Sequence, residues 1–399
     1  METNTFLEKL LQGASVEWKT LGEVLERAKG TKITAGQMKE LHQENAPIKI
    51  FAGGKTFALV NYGDIPNKDI HTKPSIIVKS RGIIEFEYYD KPFSHKNEMW
   101  SYHSENENID LKYVFYFLKS KELYFQQIGS KMQMPQIATP DTDNFQIPIP
   151  PLSVQQEIVR ILDTLTEQTK ELTKELTKEL ALRQKQYQYY QDMLLNFKEL
   201  SGGGYEVKWK TLGEVAKKIS SGGTPKTDRA EYYGGSIPWL RTQEVNFEEI
   251  WDTGVKITEE GLKNSSAKLI PKNCVIIAMY GATVGRVGIN KIPLTTNQAC
   301  ANIELDDTIL NYRYLFHYLS NRYEYIKSLG AGSQTNINAK IVKNLQIPLP
   351  PLEEQKRIAA ILDKFHTLTS SLSDGLPKEI ELRQKQYEYY RDLLLGFDN

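Results

Sequence analysis

Two stretches of the chain carry apolar residues at alternating intervals of three and four. In the first these are Ile158, Leu162, Leu165, Leu172, Leu176, Tyr190, Leu194 and Phe197. In the second they are Ile358, Leu362, Phe365, Leu372, Leu376, Tyr390, Leu394 and Phe397. This spacing draws a stripe along one face of a helix, and its near-heptad period lets two such helices pack on each other as a coiled coil within one chain. Each helix of about 45 residues would be roughly 65–70 Å long at 1.5 Å per residue. Pro150 and Pro151 precede the first, and Ser153 with Gln156 three residues on predicts an N-cap and capping box. Gly375 and Pro377 predict that the second is kinked or restarts near Asp374. Elsewhere, β-branched runs at 75–78, 82–86 and 274–279, bounded by Gly, Pro or polar residues, predict strands. Aromatic-rich amphipathic helices are predicted at 113–125 and 312–326.

These elements belong to a tandem duplication. WKTLGEV occurs at 18–24 and 209–215, IPIPPL at 147–152 returns as IPLPPL at 347–352, and LRQKQYxYY occurs at 182–190 and 382–390. About half of the positions from 147 to 197 are identical to their partners from 347 to 397, whereas identity falls away in 25–146 and 216–346. A repeat has to be read before anything else, because it organises the fold. The matched parts do one mechanical job twice, and the divergent parts are shaped for two different targets. The expected fold class is α/β: two globular α/β domains (1–150 and 201–350) joined by two long antiparallel helices (151–200 and 351–399), an intramolecular coiled coil with pseudo-two-fold symmetry. SGGG at 201–204 reads as a flexible connector. TKEL, three times over at 169–180, reads as a solvated helical spacer. Each unit added or removed would change the helix by about 6 Å and rotate it by roughly 40°, so its length acts as a ruler.

Composition narrows the class. The 399 residues are 40% hydrophobic and 25% charged, ordinary for a folded protein, with 50 basic and 50 acidic side chains cancelling. The two cysteines, Cys274 and Cys300, lie in strand-like surroundings, which fits packing in a reducing cytoplasm and excludes a disulfide framework or a cysteine zinc site. Neither a signal peptide nor a membrane-spanning run is legible, so the chain is expected in the cytoplasm.

Catalytic motifs fail one after another. Gly53-Gly54-Lys55-Thr56 imitates the end of a phosphate-binding loop, but Lys49 stands where the first glycine is required. Gly281, Gly285 and Gly288 do not match a dinucleotide fingerprint and read as turn glycines. The six histidines show no metal-binding spacing. No nucleophile elbow and no amino-methyltransferase tetrapeptide occur.

Local charge is more informative than the neutral total. Five stretches, at 70–84, 123–140, 215–227, 261–303 and 325–352, contain basic residues and no acid. Lys and Arg neutralise phosphates, backbone N–H groups in Gly/Ser/Thr loops approach them closely, and Asn, Gln and Arg read base edges. These stretches therefore point to contact with a nucleic acid.

WKTLGEV opening each half, SGGTPKT followed by EYYGGSIPWLRT (221–242), TTNQAC (295–300) and IPLPPLEEQKRIAAILD (347–363) resemble the specificity subunit of type I restriction-modification enzymes, over essentially the whole chain. The first half lacks SGGTP, and FSHKNE (93–98) stands where TTNQAC would. The resemblance implies that 1–150 and 201–350 are target recognition domains, each reading one half of a split, non-palindromic sequence in double-stranded DNA. The helices at 151–200 and 351–399 would be the spacer, docking two modification subunits, with restriction/translocase subunits joining for cleavage. It implies a non-catalytic chain without a cofactor of its own, S-adenosylmethionine, ATP and Mg being expected on the partner subunits. The candidate DNA contacts are Lys32, Lys79, Arg81, Lys96, Asn97, Lys131, Gln133 and Gln136 in the first domain. In the second they are Thr224, Lys226, Arg241, Gln243, Asn297, Gln298, Gln334 and Asn336. Partner-docking candidates are Ile158, Leu162, Tyr187, Tyr190, Ile358, Leu362, Tyr387 and Tyr390. The alternative is a coiled-coil adaptor binding two proteins, which predicts no DNA affinity.

Overall fold

The structure, a computed structural model, describes residues 5–130, 135–197, 206–330, 336–370 and 375–397. The chain packs as two compact units, 1–174 with 381–399, and 175–380. Each is built around an antiparallel sheet, and the two sheets are copies. In the first unit, strands Glu26–Lys29, Trp100–His103, Ser75–Lys79 and Glu85–Tyr89 lie in that order. In the second, Ala216–Ser221, Cys300–Leu305, Val275–Ala278 and Val287–Asn290 repeat the order, and Glu249–Ile250 adds a parallel edge. The central strands are buried on both faces, as their unbroken apolar runs require.

The matched motifs form the base of each unit. WKT pairs with the strand of the PPL motif, so that Trp18 faces Pro148 and Trp209 faces Pro348 in identical antiparallel register. A helix packs on each sheet, Leu111–Ser120 and Tyr312–Asn321, and its first-turn tyrosine donates to the proline carbonyl: Tyr113 to Pro148 at 2.8 Å, Tyr314 to Pro348 at 2.9 Å. A buried glutamine ties this base to the spacer helix. Gln155 accepts from Asp110 N–H at 2.9 Å and donates to the Asn108 and Pro150 carbonyls. Gln355 makes the same three bonds, to Asn311, Ile309 and Pro350. Backbone polar groups that would otherwise be buried unpaired are thus satisfied.

The first long helix spans Leu152–Leu195, 44 residues and about 66 Å. It begins at Leu152, with Val154 and Gln155 N–H bonded to the Pro151 carbonyl, so Ser153 lies inside the first turn and is not the N-cap. The second is two helices, Leu352–Ser370 and Leu376–Leu395, with the predicted restart on the Gly375–Pro377 side. Asp374 lies outside the described residues. Each unit contains one half of a helix from each copy. In the first, Thr166 Oγ1 donates to Tyr387 Oη at 3.2 Å, and Leu394 and Leu395 are buried in the core with Ile158 and Leu162. In the second, Tyr187 packs on His366 and Phe365, while Leu195 joins Ile358 and Leu362.

Some expectations shift in detail. The predicted helices each break at a cation, giving Leu111–Ser120 then Glu122–Gly129, and Tyr312–Asn321 then Tyr323–Ser328. The 82–86 run is a turn at Gly82 (φ +76°) leading into Glu85–Tyr89. Gly281 and Gly285 occupy turns with φ of +83° and +84°, but Gly288 sits inside strand Val287–Asn290, where a Cβ would come within 3.0 Å of Ile250 Cδ1. Gly53–Thr56 is the bend of a hairpin between Ile48–Phe51 and Phe57–Val60, not a strand-to-helix loop. Both cysteines are buried and free, and burial pushes each thiol up to about 12. No helix among the described residues is long and apolar enough to cross a membrane.

Candidate nucleic-acid interface

In the second unit, the end of strand Tyr233–Leu240 runs parallel to Thr295–Thr296, pairing Leu240 with Thr296. The chain then turns outward, and Asn297 N–H donates to the Leu240 carbonyl at 2.9 Å. The SGGT loop lies directly against this turn. Gly223 N–H donates to the Thr296 carbonyl at 2.9 Å, and a Cβ on Gly222 would sit 2.0 Å from that oxygen. Only glycine permits this approach. It brings Thr224 Oγ1 into hydrogen bonding with Gln298 Oε1. Next to Leu240, Arg241 Nε is 3.2 Å from Glu244, and Gln243, with its amide oxygen turned toward the guanidinium, accepts from Arg241 at 3.3 Å. Thr283 Oγ1 donates to the Thr242 carbonyl at 2.8 Å, and Gly281 N–H reaches Asn336 Oδ1 at 3.4 Å. One connected surface therefore holds Thr224, Arg241, Gln243, Asn297, Gln298 and Asn336, with Lys226 exposed two residues beyond Thr224. Gln334 lies outside the described residues. Tyr280, not among the candidates, is 41% exposed immediately before Gly281, an aromatic following a buried strand at a glycine turn.

The first unit builds the same turn from different residues. Strand Ile48–Phe51 is parallel to Phe93–His95, and Lys96 N–H donates to the Phe51 carbonyl at 2.9 Å. FSHKNE thus occupies the place of TTNQAC, with Lys96 and Asn97 at the positions of Asn297 and Gln298. The missing SGGTP has a structural counterpart as well. Thr31 N–H donates to the His95 carbonyl at 2.8 Å, and a Cβ on Gly30 would lie 2.1 Å from that oxygen, which places Lys32 where the other unit has Thr224. Arg81 is exposed and bridged to Gln136, whose segment is held by Gly82 N–H to the Pro135 carbonyl. Lys79 has to be withdrawn. It lies on a central strand, 7% exposed, bonded at 2.9 Å to Glu87 and 3.3 Å to Glu85. Lys131 and Gln133 lie outside the described residues. Lys96 pairs with Glu98 at 2.6 Å. Burial raises the Glu98 carboxyl, but the Lys96 hydrogen bond and charge outweigh it and hold the group below its ordinary range.

Amides and guanidinium groups on rigid turns present paired donors and acceptors, the chemistry that reads base edges, while exposed lysines beside them suit phosphates. Among the described residues, one group is close enough to share a metal ion, Glu26, His103 and Glu105. It is an exposed cross-strand cluster in which the Lys73 ammonium already pairs with Glu105. It forms no part of the loop surface.

Comparison with known proteins decides the family. The Type I restriction modification DNA specificity domain matches twice, over 15–182 and 205–382, one match for each copy of the repeat. The chain belongs to this family. Among relatives of the specificity-domain family, the specificity subunit of the Escherichia coli enzyme EcoR124I/EcoR124II is 38% identical over all of this chain and 98% of its own length. A Haemophilus influenzae protein named as a type I restriction enzyme specificity subunit is 33% identical over 98% of each chain. A solved structure from work on complex assembly and conformational transition of the type I system shares the fold, with a TM-score of 0.63 at 19% identity over 96% of this chain and 98% of that one.

For the docking candidates, burial separates two groups. Ile158, Leu162, Ile358 and Leu362 are at most 1% exposed inside the cores of their own units and are withdrawn as partner contacts. Apolar spacing could not tell a helix facing its own domain from one facing a partner. Tyr187 is bonded to His317 Nδ1 at 3.1 Å, Tyr190 stacks on Phe365, and Tyr387 receives Thr166, so these three serve internal packing. Tyr390 is 39% exposed. Leu182, Tyr189, Leu382 and Tyr389, not among the candidates, are apolar or aromatic and 61, 64, 47 and 64% exposed. In each copy the two are seven residues apart, on one helix face.

Proposed function

We propose that this chain is the DNA-reading, non-catalytic subunit of a type I restriction-modification complex, each unit reading one half of a split, asymmetric sequence. The observation that carries this reading is the duplicated pair of loops: 30–32 against 95–97 and 222–224 against 296–298, the same backbone scaffold bearing different side chains. A common scaffold with different readers implies two unlike half-sites, as paired half-site recognition by dimeric DNA-binding proteins implies like ones. The exposed Leu182–Tyr189 and Leu382–Tyr389 faces would dock two modification subunits, and a restriction/translocase subunit would join for cleavage. Methyl transfer and cleavage, with S-adenosylmethionine, ATP and Mg, would reside on those partners. The complex would work in the cytoplasm, where its DNA is.

The test is a genome-wide map of methylated adenines in cells with and without the gene, the modification subunit being present in both. Loss of a two-part, non-palindromic motif only in the strain lacking the gene is the expected result. An unchanged map would sink the reading and favour a protein adaptor.

A further inference from the structure

Beside the base of each unit is a cleft whose lining includes none of the loop residues described above. In the second unit it is a cavity of about 490 Å³ lined by Trp209, Tyr318, Arg322, Tyr325, Ile326 and Gln346. In the first it is about 510 Å³, lined by Trp18, Phe117, Lys121, Tyr124, Ile128 and Gln146. The two are built alike: a tryptophan from the WKTLGEV strand, a ring from the sheet-packing helix, a cation at the helix break, a tyrosine three residues on, and the glutamine that starts the IPxPPL strand. Most of these positions fall in the divergent segments, where the two copies otherwise share little. Phe117 and Tyr318 are buried in their cores, at 2% and 5%, but three of the other rings are open. Here Trp209 is 39% exposed, Tyr325 57% and Tyr124 48%. Lys121 Nζ lies 5.3 Å from the Phe117 ring centroid and Arg322 lies 5.8 Å from that of Tyr318. The Arg322 Nε is buried without a hydrogen-bond partner among the described residues. A guanidinium and an ammonium at matching places in two aromatic clefts are complementary to a carboxylate. Asp141, at the rim of the first cleft, is already engaged by Ala138 N–H at 2.7 Å.

We propose that each cleft receives a segment of one modification subunit, an apolar or aromatic side chain beside a carboxylate that pairs with Arg322 or Lys121. The proposal rests on the specificity-subunit reading and adds to the helix faces a second point of attachment, one per unit. Methylation at each half-site requires a catalytic subunit held beside each recognition domain, and a helix face alone leaves that subunit free to pivot. Aromatic residues and arginine in a partly desolvated pocket are the groups that dominate protein interfaces.

The test uses the full chain with purified modification subunit. Native mass spectrometry and sedimentation velocity count subunits bound to the wild type, to Arg322→Glu, to Lys121→Glu and to the double variant. The expected result is two modification subunits on the wild type. Each single variant should weaken one of them at least tenfold, and the double variant should weaken both. Tyr325→Ser changes an exposed side chain, leaves folding unaffected, and should weaken one subunit in the same way. If all variants hold two subunits with unchanged affinity, the proposal is overturned. It is equally overturned if they lose only DNA or only the restriction subunit. A wild-type complex that assembles yet directs no methylation would instead overturn the specificity reading, so the two failures are distinguishable.

Discussion

Replacing Gly222 by alanine tests the loop scaffold most directly. The new Cβ would stand 2.0 Å from the Thr296 carbonyl oxygen, a distance real Cβ atoms do not adopt, so the loop has to move away by at least about 1 Å. That displacement breaks the Gly223 N–H bond to Thr296 and separates Thr224 from Gln298. At about 1 kcal/mol for each hydrogen bond the loss is about 2 kcal/mol, or roughly thirtyfold in affinity if the preformed loop is what DNA selects. Gly30→Ala should act in the same way on the other half-site, its Cβ falling 2.1 Å from the His95 carbonyl oxygen. Gly53→Ala, with nothing within 4 Å of the added carbon, is the control. The assay is equilibrium binding at fixed salt to duplexes carrying the mapped motif with one half-site or the other scrambled. Gly222→Ala should weaken binding to duplexes that retain its own half-site and leave untouched those in which that half-site is already scrambled. Full affinity of Gly222→Ala for every duplex would refute the assignment of this turn to DNA.

Three further outcomes follow from the geometry. Burial holds His95 and His317 down at about 4, so below about pH 6.5 the unfolded chain takes up protons that the native one refuses; this contribution is complete above pH 6.5 and is lost as pH falls toward 4. Denaturation at pH 5 against pH 7 should show about 2 kcal/mol lost per histidine, and His317→Gln should remove the share of the second unit. Gln355→Leu would leave two carbonyls and one N–H buried without partners and should cost about 3–5 kcal/mol in urea unfolding, with the equivalent loss for Gln155→Leu. In binding titrations against salt, Lys226→Gln should lower the slope of log K by about 1, as expected for one lost phosphate contact, whereas Lys79→Gln should lower stability and leave the slope alone.

The duplication and its matched helices were legible in the sequence because long-range identity and a sustained apolar period are properties of the letters themselves. The candidate reading surface of the second unit was largely legible too: SGGT and TTNQ combine glycines that allow close backbone approach with amides that can bond bidentately. In the first unit the same scaffold is carried by Gly30-Thr31-Lys32, whose single glycine has no distinguishing context. Only the approach of its Cα to the His95 carbonyl identifies it. Lys79 misled because strand alternation is silent for a strand buried on both faces, where a lysine survives by pairing with Glu85 and Glu87. Ile158 and Leu362 misled for a related reason, since a stripe on a helix states that something covers it and not what.

Phe397 packs edge-on against Tyr113, and Phe197 does the same against Tyr314, both at 6.4 Å. Each unit is thus closed by the end of the helix that belongs to the other copy, through a short and nearly identical sequence. Within the segment between WKTLGEV and PPL, a tyrosine at the same helix position meets this plug in each unit. A segment exchanged between the flanking repeats would therefore meet the same plug, provided that it brings a tyrosine to the place of Tyr113 or Tyr314.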